Sequence, residues 1–145
     1  MVDVRRTFTV RAPLDTVVDY LSDFANAESW DPGTVSCARL GTGPVEVGSR
    51  WRNVSEFRGK ETELVYRLTR RERERLTFVG ENKTATSTDD VAFAEVDGGT
   101  RIDYRASIRF HGLAKLADPF LRREFERLGD ELVPTMTAAV ERLGS

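Results

Sequence analysis

The sequence predicts an α+β fold: a strongly curved antiparallel sheet of about seven strands wrapped around one long C-terminal helix, with two short helices after the first strand. Three observations predict it. Apolar residues recur with a period of two at the N-terminus and again in run after run from Thr34 to Phe110. Pro13 to Trp30, between these regions, carries a helical stripe instead. After His111-Gly112 the spacing becomes helical once more. A chain of 145 residues, 39% apolar and 32% charged, is long enough to bury about two thirds of its unfolded surface around one core. Residues 1–145 therefore read as a single domain.

The first strand is Val2 to Val10, where Val2, Val4, Phe8 and Val10 share one parity. Pro13 stops it and suits the first position of a helix, with Asp15 favourable in the first turn. Val17, Val18, Tyr20, Leu21 and Phe24 form the apolar stripe, and Ser22 or Asp23 caps a second short helix ending near Trp30. Asp31-Pro32-Gly33 then turns the chain.

A strand from Val35 to Leu40 is followed by breaks at Gly41-Thr42-Gly43-Pro44 and Gly48-Ser49. Arg50 to Arg58 alternates, with Trp51, Asn53, Ser55 and Phe57 on one face. Gly59-Lys60 is a short turn, and Glu61 to Arg70 places Leu64, Tyr66 and Leu68 together. Arg71-Glu72-Arg73-Glu74 reads as a solvated hairpin turn before Leu76 and Phe78. Lys83 to Val96 is a long strand, and Gly98-Gly99 a two-residue hairpin signal. In the last strand Ile102, Tyr104, Ala106, Ile108 and Phe110 face one way and Arg101, Asp103, Arg105, Ser107 and Arg109 the other, giving a covered and a wet face.

Asp118 is placed to cap a helix beginning at Pro119, with Phe120, Leu121, Phe125, Leu128, Leu132, Met136, Val140 and Leu143 on its apolar face. Pro134 removes the bond to the Asp130 carbonyl and is expected to bend it. At roughly 37 Å it is the only element long enough to cover the concave face of the sheet. Side chains do not fill such a grip at its wide end, so a cavity is expected there.

Twenty-two basic against 24 acidic residues leave a net charge of −2, which argues against a nucleic-acid partner. One cysteine, Cys37, and one histidine, His111, exclude an intrachain disulfide, a cysteine-rich metal site and a multi-histidine centre. No metal and no cofactor are expected. No apolar run is long enough for an integral membrane segment, and Met1 to Arg6 has no leader-like apolar region, so a cytoplasmic protein is expected.

At this point the chain resembles a known superfamily. Val10-Arg11-Ala12-Pro13 before Val17 to Leu21, Phe24-Ala25-Asn26-Ala27 with Trp30-Asp31-Pro32-Gly33, Gly98 to Tyr104, and Gly112-Leu113 follow one another in the order of the helix-grip proteins. These are the START-related, Bet v 1-like (SRPBCC) superfamily, and the chain is most similar to its polyketide cyclase/dehydrase and lipid-transport group. The resemblance covers the whole chain. It implies a hydrophobic or amphipathic small molecule, or a lipid, as the partner of a central cavity, in a monomer or homodimer, and leaves any reaction open.

The ligand-binding candidates are Trp30, Trp51, Asn53, Ser55, Phe57, Tyr66, Ser87, Phe93, Tyr104, Phe120 and Met136. Trp51, Asn53, Ser55 and Phe57 suit an apolar pocket with a few orienting hydrogen bonds, or equally an ordinary core. Tyr66 and Tyr104 carry the same two readings. Trp30 reads as the cap of an apolar cluster or, more sharply, as a gate, with Asp31 beside the cavity mouth. In the polar stretch Thr84 to Asp90, Ser87 and Asp89 face inward if they keep the parity of Val91 and Phe93; after a bulge, Thr86, Thr88 and Asp90 do so instead. A solvated strand end is the blander reading. The catalytic candidates are therefore Asp89, Asp90 and Tyr104, since a carboxyl in an apolar pocket has a raised pKa suited to acid–base work. His111 has no partner in the sequence, and Cys37 reads as a core hydrophobe. A carrier or sensor is the leading reading, a cyclase or dehydratase the second. A co-chaperone-like interaction module using Arg101, Arg105 and Arg109 on the outer strand face is the third.

Overall fold

In the computed structural model, which describes residues 1–112 and 118–144 apart from the side chains of 118–120, seven antiparallel strands form one open sheet. They are β1 (Val2–Val10), β2 (Thr34–Leu40), β3 (Arg50–Phe57), β4 (Lys60–Glu72), β5 (Arg75–Glu81), β6 (Ala85–Val96) and β7 (Gly99–Phe110). The order across the sheet is β1-β7-β6-β5-β4-β3-β2. Strands β2 to β7 are thus a meander, and β1 closes the far side by pairing Val2 with Ile108 through to Val10 with Thr100. Between β1 and β2 lie α1 (Leu14–Ser22), a 3-10 turn (Phe24–Asn26) and α2 (Ala27–Trp30). The long helix α3 spans Asp118–Glu141, with Pro134 inside it, and a 3-10 turn (Arg142–Gly144) follows. None of the described helices is long and apolar enough to cross a membrane.

The boundaries differ from expectation by a residue or two, for local reasons. Pro13 is the N-cap of α1 rather than its first helical residue, held extended at φ −63° and ψ 147°. Asp23, not Ser22, caps the next turn, accepting the Ala25 N–H at 3.1 Å. The β3–β4 hairpin turns on Arg58-Gly59, both at positive φ (54° and 79°), as a tight two-residue turn requires. The β6–β7 turn is Asp97-Gly98 rather than Gly98-Gly99, because Val96 already pairs with Gly99. Leu143, expected on the apolar face of the long helix, lies beyond its end and is 41% exposed. The expected Asp118 cap and the Leu113 helix start lie outside the described residues.

The core sits between the concave sheet face, α1, α2 and the second half of α3. Phe24 is its centre: its ring lies 4.5 Å from Tyr66, 4.7 Å from Phe78, 5.8 Å from Trp30 and 6.2 Å from Trp51. Leu132, Met136, Ala139 and Val140 of α3 pack into the same cluster, and Thr135 Oγ1 donates to the Trp30 carbonyl at 2.8 Å. Two contacts clamp α3 to β1. Gly129 has no side chain where a Cβ would lie 2.6 Å from Val4 Cγ1, and Arg6 donates to Asp130 Oδ1 and to the Glu126 carbonyl at 2.8 and 2.9 Å. The convex sheet face carries paired charges instead: Arg5 with Asp103, Arg52 with Glu63, Arg75 with Asp90 and Arg105 with Asp3. As exposed pairs these contribute little stability.

A Cβ at Gly99 would overlap the Val10 carbonyl oxygen, a backbone atom that cannot move without breaking the β1–β7 ladder. Gly99→Ala is expected to lower unfolding stability by about 1–3 kcal/mol, read as a fall in the urea midpoint with unchanged slope.

Candidate functional site

Under the first half of α3 the grip is hollow. A partly enclosed cavity of about 210 Å³ lies between that half of the helix and the ends of β1, β3, β4, β6 and β7. Its walls are mainly carbon: Val2 and Val4 from β1, Leu64 from β4, Ala106, Ile108 and Phe110 from β7, and Leu121, Phe125, Leu128 and Leu132 from α3. Phe125 stacks on Phe57 with ring centres 4.7 Å apart and lies 6.5 Å from Phe110, so one helical ring touches both β3 and β7. The strand pleat explains the composition, since every second residue of β7 faces inward.

The polar groups of the wall are Asp31, Tyr66, Ser87, Asp89 and Tyr104, with Ser55 and Thr62 of the paired strands β3 and β4. Asp89, 5% exposed, keeps the parity of Val91 and Phe93, because the registers of β6 with β5 and β7 run without a bulge. The Tyr104 hydroxyl donates to Asp89 Oδ2 at 2.6 Å. The Asp89 carboxyl is pushed up to about 7, first by burial, then by the charge of Asp31, against the lowering effect of the Tyr104 bond. Both Tyr66 and Tyr104 are raised well above the usual phenol range, mainly by burial and then by the Asp89 charge. Ser87 of β6 faces the Tyr66 phenol of β4 across β5, where Gly80 lies between them. Tyr66 lies flat against β5 because its register partner is Gly80; a Cβ there would sit 2.7 Å from the ring.

Asp31 is the cavity residue that sequence reasoning placed at the mouth without a chemical role. Its Oδ1 accepts the Gly33 N–H at 3.0 Å and its Oδ2 the Thr34 hydroxyl at 2.8 Å. The turn fastens the carboxyl, yet burial still raises its pKa. Asp-Pro-Gly-Thr carries the turn in its sequence, but only the fold brings that turn against the cavity.

Of the other candidates, Ser55, Phe57, Tyr66, Ser87 and Tyr104 line the cavity with Asp89. Trp30, Trp51, Asn53, Phe93 and Met136 are buried in the packed core and form none of its wall. Trp51 is fixed there by its Nε1 donating to Asp23 Oδ1 at 3.0 Å. Asn53 is satisfied internally, donating to Thr34 Oγ1 and accepting from Ser55. Asp90 points to the convex face, 2.6 Å from Arg75, which holds its pKa low. The alternative parity with Thr86, Thr88 and Asp90 inward does not occur, nor does a solvated strand at Asp89. The Phe120 side chain lies outside the described residues. His111 bonds to the Thr86 hydroxyl at 2.8 Å and is not on the wall. Cys37 is buried, its thiol pushed up to about 12 mainly by burial, which leaves it unreactive as thiolate.

The sequence profile of the family described as polyketide cyclase/dehydrase and lipid transport matches residues 1–143. No curated protein matches the sequence. In structure the chain is similar to TTHA0849 from Thermus thermophilus, with TM-score 0.82, 15% identity and 99% of both chains covered. It is also similar to a START superfamily protein from Mycobacterium smegmatis, with TM-score 0.79, 15% identity and 97% and 98% of the two chains covered. The Zhui aromatase/cyclase from Streptomyces sp. R1128 aligns at TM-score 0.70 and 17% identity, over 96% of this chain and 90% of that one. These identities speak for a common fold.

A carboxyl whose folded pKa is about 7, against 3.8 ordinarily, favours the protonated folded state. Its contribution is complete below pH 4, declines as pH rises from 4 to 7 and is gone above, on the order of 4 kcal/mol in all. Asp89→Asn is expected to remove that slope, so the variant gains on the wild type between pH 4 and 8; urea unfolding at several pH values reads the difference.

Proposed function

The chain belongs to the polyketide cyclase/dehydrase and lipid-transport family, and on that premise we propose that it binds a small hydrophobic or amphipathic molecule under the first half of α3. The observation that carries this reading is the cavity of about 210 Å³, walled mainly by carbon, with Tyr66, Ser87, Asp89 and Tyr104 among its lining residues. An engineered apolar void of roughly 150 Å³ already takes up benzene, so this one has room for a larger apolar body. Each 100 Å² of ligand carbon removed from water contributes about 2.5 kcal/mol before the cost of association. Ser87, Tyr66, Tyr104 and Asp89 orient the ligand's polar end.

Filling the space tests this directly. Ala106→Trp, on the β7 wall, is expected to weaken binding of the neutral fluorophore N-phenyl-1-naphthylamine at least tenfold while leaving the far-ultraviolet circular dichroism unchanged. Undiminished fluorophore binding in that variant would move the ligand elsewhere.

The Asp89–Tyr104 pair favours a second reading, acid–base catalysis of the cyclase or dehydratase type. Enolisation and aldol closure need a shaped pocket and a group that exchanges protons near neutral pH. Asp89 has that property and Tyr104 is placed to assist it. On this reading Asp89→Asn keeps fluorophore binding within about threefold and lowers turnover of a poly-β-ketone at least a hundredfold. Equal turnover in the variant and wild type would leave only the binding role.

A further inference from the structure

We propose that the cavity selects amphiphiles with a cationic head, alkyl or aryl amines, and rejects the corresponding carboxylates, because its wall carries the acidic residues Asp31 and Asp89 and, among the described residues, no Lys, Arg or His. This rests on the binding reading above and assigns the chemical class of its ligand.

The charge pattern runs through every element around the polar groups of the wall. Strand β7 offers Tyr104 and β4 offers Tyr66; the turn after α2 offers Asp31, and β6 offers Asp89 with Ser87. Strand β3 turns Ser55 and Phe57 to the wall, while Glu56 between them is exposed and of the opposite parity. Among the described residues α3 contributes only Leu, Phe and Gly to the wall. Arg6, on the inner parity of β1, is turned to Asp130 and Glu126 instead. An anionic head entering here would lose its water and face the carboxyls of Asp31 and Asp89 with no cation on the described wall to offset them, the side-chain donors being the neutral hydroxyls of Ser55, Thr62, Tyr66, Ser87 and Tyr104.

An ammonium finds acceptors. Asp89 Oδ2 accepts from Tyr104, and Oδ1 is the second acceptor of the same carboxyl. The phenol and hydroxyl oxygens of Tyr66 and Ser87 stand beside it, and an ammonium has three N–H groups to share among them. The cation takes the place of the proton that burial forces on Asp89, so binding displaces that proton and strengthens as pH rises through 7.

Decylamine, decanol and decanoate, competing against N-phenyl-1-naphthylamine at pH 6 and pH 8, test this. Decylamine is expected to bind at least tenfold more tightly than decanol at pH 8, with decanoate the weakest of the three. Its affinity is expected to rise about tenfold from pH 6 to pH 8 in the wild type and by less than twofold in Asp89→Asn. Decanoate binding as well as the amine, or an amine affinity flat with pH in the wild type, overturns the assignment. If the fluorophore and decanol bind but decylamine is no tighter than decanol, the charge selection alone fails. If neither neutral molecule binds, the binding reading falls with it.

Discussion

The second half of α3 is wedged into the aromatic cluster around Phe24, and the position of everything else follows from that wedge. Leu132, Met136, Ala139 and Val140 are buried among Trp30, Tyr104 and the inner residues of the middle strands. Protein interiors pack at crystal-like density, so that end is not displaced without a large cost. Glu141 at the helix end accepts the Arg11 N–H at 2.8 Å, and Arg6 and Gly129 hold the middle against β1. A helix fixed at one end over a curved sheet departs from it at the other. Among the described residues there, Leu121, Phe125 and Leu128 line the void, and Phe125 stacks on Phe57 and lies by Phe110. The cavity is a geometric remainder of a tight joint.

The same geometry sets the electrostatics. Strand β6 runs from the cavity to the packed core, so its inward parity passes from Ala85, Ser87 and Asp89 to Val91 and Phe93. Asp89 falls where the carbon core gives way to the cavity. It has one strong partner, Tyr104, and no cation among the described residues that line the wall, so burial wins and the proton is held to about pH 7. One residue later Asp90 faces the convex side, where Arg75 and Thr77 hold its charged form. Adjacent aspartates thus have opposite pKa shifts, decided by pleat parity alone.

The period-two strands, the switch to helical spacing and the inner face of β7 from Ile102 to Phe110 were legible from the residues, since each depends on local sequence and a repeat. Turn positions were legible to within one or two residues; Asp97-Gly98 and Arg58-Gly59 were displaced because strand pairing, not the glycine, decides where a hairpin closes. Trp51 and Asn53 share a face with Ser55 and Phe57 as expected, yet the first two are core and the last two cavity wall. No feature of the strand marks the point where the helix lifts away.

By itself, then, the sequence determined a curved antiparallel sheet, a helix long enough to span it and the side of each strand that faces the helix. Those properties come from hydrophobic periodicity and chain connectivity, which are written along the chain. Only the tertiary structure decided that the hollow lies under the first half of α3, that Asp31 joins Asp89 at its edge, and that Trp30 and Met136 are packing residues. Those properties depend on where a helix pinned at one end parts from a bending sheet, a distance in space between residues that can be a hundred positions apart in sequence.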